Sequence, residues 1–271
     1  MTIAEPEDQA PIRLEIRGRV AVITLNSPHT RNALASDEQY AGIERACAAI
    51  TANKEIGATV VTGAGKAFCA GGDIKQMLAR AEDPDHQPIN DRYHYKEGIH
   101  RIPLALYYLE VPTIATVNGP TISASLDLAC MCDLRVAAQS ARFAESFVKL
   151  GIIPGDGGAF LLPRIVGLAK ASEMTFTGET IDAQAAFACG LVSAVVPDAS
   201  LMSHAFELAE RIAVNPAHTL RMAKRLLRES QHSRLETVLE LSAAFQALAH
   251  STQDHKHLIR QAVDGLKSKT S

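Results

Sequence analysis

Two segments rich in small residues, Lys66–Ile74 (KAFCAGGDI) and Asn118–Leu128 (NGPTISASLDL), each follow a predicted strand and begin a predicted helix. The first N–H groups of a helix have no partner within the helix, and small side chains leave them open to a ligand. Two such helix starts facing one pocket would form an oxyanion hole, which stabilises negative charge on a carbonyl oxygen. Each segment by itself is better explained as an ordinary turn with close packing.

Other motifs with chemical meaning are incomplete. Gly63–Lys66 (GAGK) lacks the earlier glycine and the Ser or Thr of a phosphate-binding loop, and no dinucleotide-binding or nucleophile-elbow motif is present. His255 and His257 beside Asp254 have no third ligand and are typical of a solvated helix face. The five cysteines lack the paired spacing of metal ligands, and we expect them to be reduced core residues. The sequence therefore predicts no metal site.

The composition is that of a folded chain with a small-molecule partner. The chain has 271 residues, of which 47% are apolar and 21% charged, and no apolar run approaches the ~18 residues of a membrane span. The net charge of -3, from 27 basic and 30 acidic residues, provides no basic surface for nucleic acid. Residues 1–11 show neither a secretory nor an organellar signal. We therefore expect a cytoplasmic protein with no nucleic-acid or membrane partner.

The elements that must position these segments alternate between strands and helices. Ile12–Arg17 and Val20–Leu25 predict a hairpin, and a capping box at Ser36–Gln39 begins the first helix. Further strands are predicted at 58–62, 113–117 and 134–137, and further helices near Asp73 and at 98–109 and 122–132. This alternation predicts an α/β fold with helices packed outside the sheets.

Two regions depart from this pattern. Asp83–Glu97 has no periodicity and is predicted to be a long loop, either a lid or plain surface. From residue 199 onward only amphipathic helices are predicted, at 201–214, 216–229, 235–249 and 255–266. The predicted organisation is a flexible N-terminus (1–11), a core (12–198) and a helical C-terminal region (199–271). The apolar stripes of the last region favour packing on the core or on another subunit of a homo-oligomer.

Four motifs follow one another along the chain, AFCAGGDI, VNGPTISASLDLACMCDLRVA, GIIPGDGG and TGETIDAQAAFACGLVSAVVP. In order and spacing they resemble the enoyl-CoA hydratase/isomerase family, also called the crotonase superfamily, over essentially the whole chain from Ile12 to Leu266. The resemblance implies a crotonase-like spiral of repeated strand–strand–helix (ββα) units with a helical C-terminal region. It also implies an acyl-CoA substrate and a homotrimer or a dimer of trimers.

Carried over by position, the resemblance assigns the two oxyanion-hole amides to Ala70 and Ala124. These amides would bind the thioester oxygen of an acyl-CoA, where an enolate concentrates its charge. The residues implied to contact the CoA or the acyl group are Arg31, Ala33, Ala70, Gly72, Asp73, Ile74 and Phe147. Coenzyme A would enter as part of the substrate, and no separate cofactor is expected.

The catalytic carboxylates are where this sequence departs from the family pattern. Asp127 stands where hydratases have the first catalytic glutamate, and Phe147, which cannot carry a proton, stands in place of the second. Asp156 lies where dehalogenase-like and naphthoate-synthase-like members have an acidic catalytic residue, or else it caps a helix starting at Gly157. Glu145 is a third candidate, although strand alternation next to Phe147 leaves its direction open.

These residues predict an enzyme that forms an enolate from an acyl-CoA thioester, with Asp127 and Asp156 transferring the proton. The first expectation is an enoyl-CoA hydratase, a carbon–oxygen lyase of fatty acid or related acyl-CoA metabolism. The alternative is an enoyl-CoA or dienoyl-CoA isomerase, which the phenylalanine favours because isomerisation needs no activated water. An alternative of a different class is a non-catalytic CoA-binding or RNA-binding homologue.

Overall fold

The computed structural model describes residues 10–267. Residues 1–9 of the predicted flexible N-terminus lie outside this range. Residues 10 and 11 are held, since Asn26 donates its side-chain N–H to the Ala10 carbonyl (3.0 Å) and its backbone N–H to the Pro11 carbonyl (2.7 Å). The strands are β1 (Ile12–Arg17), β2 (Val20–Leu25), β3 (Ala58–Gly63), β4 (Thr113–Val117), β5 (Pro120–Ile122), β6 (Leu134–Ala138), β7 (Arg142–Ala144), β8 (Thr180–Asp182) and β9 (Ala194–Val196).

The helices surround these strands and continue alone after β9. They are α1 (Asp37–Ala52), α2 (Ile74–Ala81), α3 (Pro88–His94), α4 (Arg101–Tyr107), α5 (Ala124–Met131), α6 (Gly158–Val166), α7 (Leu168–Thr177), α8 (Ala183–Ala188), α9 (Leu201–Ala213), α10 (Ala217–Glu229), α11 (Leu235–His250) and α12 (Gln253–Lys267). The predicted capping box begins α1, because the Ser36 hydroxyl accepts from the Gln39 N–H and the Gln39 side chain binds the Ser36 N–H. The four helices predicted after residue 199 are confirmed as α9 to α12, with small shifts of their ends.

Six strands form the main sheet, in the order β1-β2-β3-β4-β6-β9. The β1–β2 hairpin is antiparallel as predicted, and the remaining pairs are parallel. Side chains of the inner strands alternate between two apolar layers: Val61 of β3 faces the larger core, and Val60 faces the layer that α9 covers. Burial on both faces explains why these strands read as continuous apolar runs. A second sheet has the order β5-β7-β8.

Two predicted elements differ in the structure. The segment 83–97 is not a structureless loop, because it contains α3 and leads into a π-helical turn at Tyr95–Ile99. The proline at the first position of α3 favours a helix start. Because no residue of α3 is buried, its sequence has no apolar stripe from which a helix could have been predicted. The predicted helix 122–132 is shorter, since Ile122 ends β5 and α5 begins at Ala124.

The turn at Arg31 and Asn32 holds the loop before α2 in place. Both residues adopt left-handed backbone conformations, with φ of 54° and 59°. The buried Asn32 side chain accepts from the Ser27 N–H (2.9 Å) and donates to the carbonyls of Ala64 and Ala67 (each 2.9 Å). This asparagine therefore fixes the loop that carries the first small-residue segment.

The helices after β9 show different degrees of packing. The α10 side chains of Lys224 and Arg228 each pair with Asp133 at 2.7 Å, which ties α10 to the turn between α5 and β6. In α11 and α12 no residue is buried. Within residues 10–267, no helix is both long enough and apolar enough to cross a lipid bilayer.

Candidate active site

A cleft lies where the loop before α2 meets the start of α5. Its empty volume, including the open mouth, is about 910 Å³. Most of its walls are apolar or aromatic: Leu34, Tyr40, Ile74, Met77, Tyr95, Ile99, Ile122, Phe147, Leu150 and Ile152.

The backbone amides at this cleft that have no partner within the described chain include those of Gly72 and Ala124. The Gly72 N–H makes no hydrogen bond there, and Ala124 is the first residue of α5, so its N–H has no acceptor in the helix. The two loops are in contact, because a Cβ on Gly71 would lie 2.6 Å from the Ile122 carbonyl oxygen and 3.9 Å from the Ala124 nitrogen. Two free amides on adjoining helix starts can stabilise an oxyanion.

The expected role of Ala70 is wrong in this structure. Its N–H donates to the Arg31 carbonyl at 2.9 Å, so the amide is not available to a ligand. The next N–H, that of Gly71, is directed at the Cys69 sulfur at 3.4 Å. Gly72 therefore provides the first free amide of this segment, and Ala70 contributes to the lining of the cleft.

Asp156 lines the cleft, and the Oδ1 atom of its carboxylate has no hydrogen-bond partner among the described residues. The side chain is buried, and burial raises its pKa to about 6, with His100 acting in the opposite direction. The His100 ring nitrogen Nε2 lies 2.8 Å from the Gly155 carbonyl oxygen and so fixes the turn before Asp156. The helix-cap alternative is wrong, because α6 begins at Gly158 with Gly157 as its cap and receives no side-chain bond. A carboxylate with this pKa can accept a proton near neutral pH.

Asp127 and Glu145 form a second acidic group, and neither lines the cleft. Both side chains are fully buried. Burial raises the pKa of each, helped at Asp127 by the charge of Asp156 and at Glu145 by the charge of Asp127. The N–H groups of Gly158 and Asp156 oppose the rise at Asp127 without forming well-aligned hydrogen bonds. The expectation that these two acids act directly on the substrate is therefore wrong here. Asp127 is one methylene shorter than the glutamate it was compared with, and its carboxylate lies against Gly158.

The phenylalanine at position 147 contributes its ring to the cleft. Phe147 begins a short 3-10 turn and is buried, and the neighbouring Ser146 also lines the cleft. The Ser146 hydroxyl lies 3.0 Å from the Ser123 hydroxyl, which joins this turn to the residue before α5. Position 147 therefore supplies apolar contact where a second proton carrier was considered.

The remaining predicted contact residues divide into two groups. Gly72, Asp73 and Ile74 line the cleft, and the Asp73 carboxylate caps α2 by accepting from the Lys75 N–H at 2.8 Å. Arg31 and Ala33 do not line the cleft, although the adjacent Leu34 and Ala35 do.

Sequence reasoning missed Tyr40, Arg80 and Tyr95, which also line the cleft. Tyr40 lies on the apolar face of α1, where a tyrosine is indistinguishable from a core residue. Tyr95 lies in the stretch without periodicity. Within residues 10–267, no group of three His, Cys, Asp or Glu side chains is placed to bind a metal ion.

Residues 15–268 match the family model described as enoyl-CoA hydratase/isomerase. The chain is 33% identical to the short-chain-enoyl-CoA hydratase of Clostridium acetobutylicum over 264 residues, covering 94% of this chain and 97% of that protein. It is also 33% identical to the 1,2-epoxyphenylacetyl-CoA isomerase of Escherichia coli K12 over 239 residues, covering 88% and 89%. Among solved structures, the enoyl-CoA hydratase from Bacillus anthracis superposes with a TM-score of 0.85 at 31% identity, covering 96% of each chain.

Proposed function

The chain belongs to the enoyl-CoA hydratase/isomerase family and has the crotonase fold, and from this premise we propose that it moves a proton within the acyl group of an acyl-CoA thioester. The observation that carries the proposal is the meeting of one unpartnered carboxylate, Asp156, with two free amides, Gly72 and Ala124, in one cleft. Coenzyme A enters as part of the substrate, and no other cofactor takes part.

The proposed reaction begins when the thioester oxygen accepts hydrogen bonds from the Gly72 and Ala124 amides. The Asp156 carboxylate removes a proton from carbon next to the thioester or conjugated with it, and the electron pair moves onto the thioester oxygen. The two amides stabilise this charge without reorganising. Asp156, now protonated, returns the proton to another carbon, which moves the double bond and restores the carboxylate.

Isomerisation is favoured over hydration because it needs one proton carrier and no activated water. Asp156 is suited to that role, while Asp127 and Glu145 are buried and do not line the cleft, and Phe147 provides only a ring. Hydration of a 2-enoyl-CoA is the second candidate. The similarity to the Clostridium hydratase over nearly the whole chain favours it.

Products from 2-enoyl-CoA and 3-enoyl-CoA substrates distinguish the two reactions. Each substrate would be incubated with the protein in ¹⁸O-labelled water and followed by mass spectrometry and proton NMR. Movement of the double bond with no change of mass supports the proposal. Incorporation of labelled oxygen supports hydration instead, and no conversion of any acyl-CoA supports a non-catalytic protein.

A further inference from the structure

Arg80 lines the cleft from the last turn of α2, and its charge is not matched. The side chain is half-buried. Within residues 10–267, its guanidinium makes neither a hydrogen bond nor an ion pair. Asp91, an acid that lines a neighbouring cavity with Arg80, is bound by His86 at 2.9 Å. A guanidinium in a cleft that closes over a ligand loses water, so the ligand has to supply the compensating anion.

The backbone of Arg80 lies farther along α2 than the free amide of Gly72. Gly72 lies just before α2, and Arg80 lies six residues after Ile74, the first residue of the helix. At 1.5 Å per residue this is about 9 Å along the helix axis. The cleft is also lined by Ile74, Met77 and Leu150, which are suited to a hydrocarbon chain.

Two of the aromatic rings that line the cleft lie near both charges. The phenols of Tyr40 and Tyr95 are each within electrostatic range of both Asp156 and Arg80. Arg80 also influences His94, a further lining residue whose ring could donate a hydrogen bond to the same anion.

We infer that Arg80 binds a carboxylate at the far end of the acyl group, so that the preferred substrates are CoA monothioesters of dicarboxylic acids. This inference rests on the proposed acyl-CoA function. A guanidinium can bind a carboxylate with two parallel hydrogen bonds, which gives both affinity and orientation. The other anion that could reach Arg80 is a phosphate of CoA itself, and the two sources predict different effects of removing the charge.

Binding of two saturated thioesters with equal carbon count, adipyl-CoA and hexanoyl-CoA, tests the inference by isothermal titration calorimetry. Neither has a double bond to move, so both report binding alone. The variants are Arg80→Met, which keeps length and helix propensity without charge, and Arg80→Lys, which keeps the charge. Arg92→Met on α3 is the matched control, because this exposed arginine does not line the cleft.

Arg80→Met is expected to weaken the binding of adipyl-CoA about 10- to 100-fold, the effect of losing one charge-assisted pair, and to leave the binding of hexanoyl-CoA unchanged. Arg80→Lys should retain part of the preference for adipyl-CoA over hexanoyl-CoA, and Arg92→Met should retain all of it. Equal weakening of both thioesters would assign Arg80 to a CoA phosphate and overturn the inference, as would no change for either. If the unmodified protein binds neither thioester, the proposed function itself fails.

Discussion

The carboxylates of Asp127 and Glu145 lie side by side in the protein interior, against the backbone of Gly158. A Cβ on Gly158 would lie 2.1 Å from Asp127 Oδ1 and 2.5 Å from Glu145 Oε1, so the two oxygens are no farther apart than these distances together. Neither acid has an ion-pair partner among the described residues. Two buried acids this close cannot both ionise without a large cost, so the pair retains a proton. The pair therefore packs in its protonated form against the backbone two residues after Asp156.

Replacing Gly158 by alanine tests this arrangement. The added methyl group would overlap both carboxylates, so Gly158→Ala should lower the free energy of unfolding by about 1–3 kcal/mol, measured by urea denaturation. Gly265→Ala is the matched control. Gly265 is within α12, and among residues 10–267 no atom beyond its chain neighbours and the surrounding helix backbone lies within 4 Å of its Cβ position. That change should be neutral or slightly stabilising. Equal stability of the two variants would argue against the close packing at Gly158.

The raised pKa values of Asp127 and Glu145 predict that stability falls as pH rises. Such carboxyls ionise near pH ~4 in the unfolded chain, whereas burial keeps them protonated to higher pH in the folded protein. Their contribution is fully present below the unfolded pKa and is lost as pH rises through the folded values. Glu145→Gln removes one titrating group, so its urea midpoint should fall less than that of the unmodified protein between about pH 6 and about pH 9.

Glu55→Gln is the control for this measurement, because Glu55 lies on the surface. It should follow the pH dependence of the unmodified protein. Parallel curves for all three proteins would mean that the Asp127–Glu145 pair does not titrate in this range.

The Ala124 amide is expected to be one of the two oxyanion donors. Ala124→Pro removes its N–H at the first position of α5 and should lower turnover about 10²–10³-fold. Leu168→Pro makes the same change at the first, exposed position of α7 and should leave turnover intact. Thermal melting of both variants would verify folding. Full turnover by a folded Ala124→Pro variant would remove this amide from the reaction.

The exposed apolar side chains of α11 and α12 predict self-association. They include Leu235, Leu239, Leu248, Leu258, Ile259, Val263 and Leu266. We expect a homotrimer or a dimer of trimers by sedimentation equilibrium, and Leu239→Glu should shift it toward smaller species because a charge cannot be buried unpaired. This expectation would be contradicted if the unmodified protein sedimented as a monomer at every concentration.

The sequence was most informative where local physical chemistry is strong. The hairpin, the capping box at Ser36 and the strands at 58–62, 113–117 and 134–137 were predicted because apolar patterning, capping and turn residues are local signals. Which backbone amide faces the cleft was not predictable. Ala70 and Gly72 are two residues apart, and the amide of Ala70 is occupied by the carbonyl of Arg31, which lies 39 positions away in the sequence. Likewise, only the fold shows that Asp156 reaches the cleft while Asp127 faces Glu145.

Exchange of the protons next to the thioester in heavy water tests the central claim most directly, because it requires only the Asp156 base and the two amides. Mass spectrometry should show exchange whose rate rises with pH through about 6, the pKa of Asp156, and then levels off. Asp156→Asn should reduce the rate about 10²–10⁴-fold with unchanged acyl-CoA affinity, while Glu55→Gln should not. Exchange at the full rate in Asp156→Asn, or none in the unmodified protein with any acyl-CoA, would contradict the account.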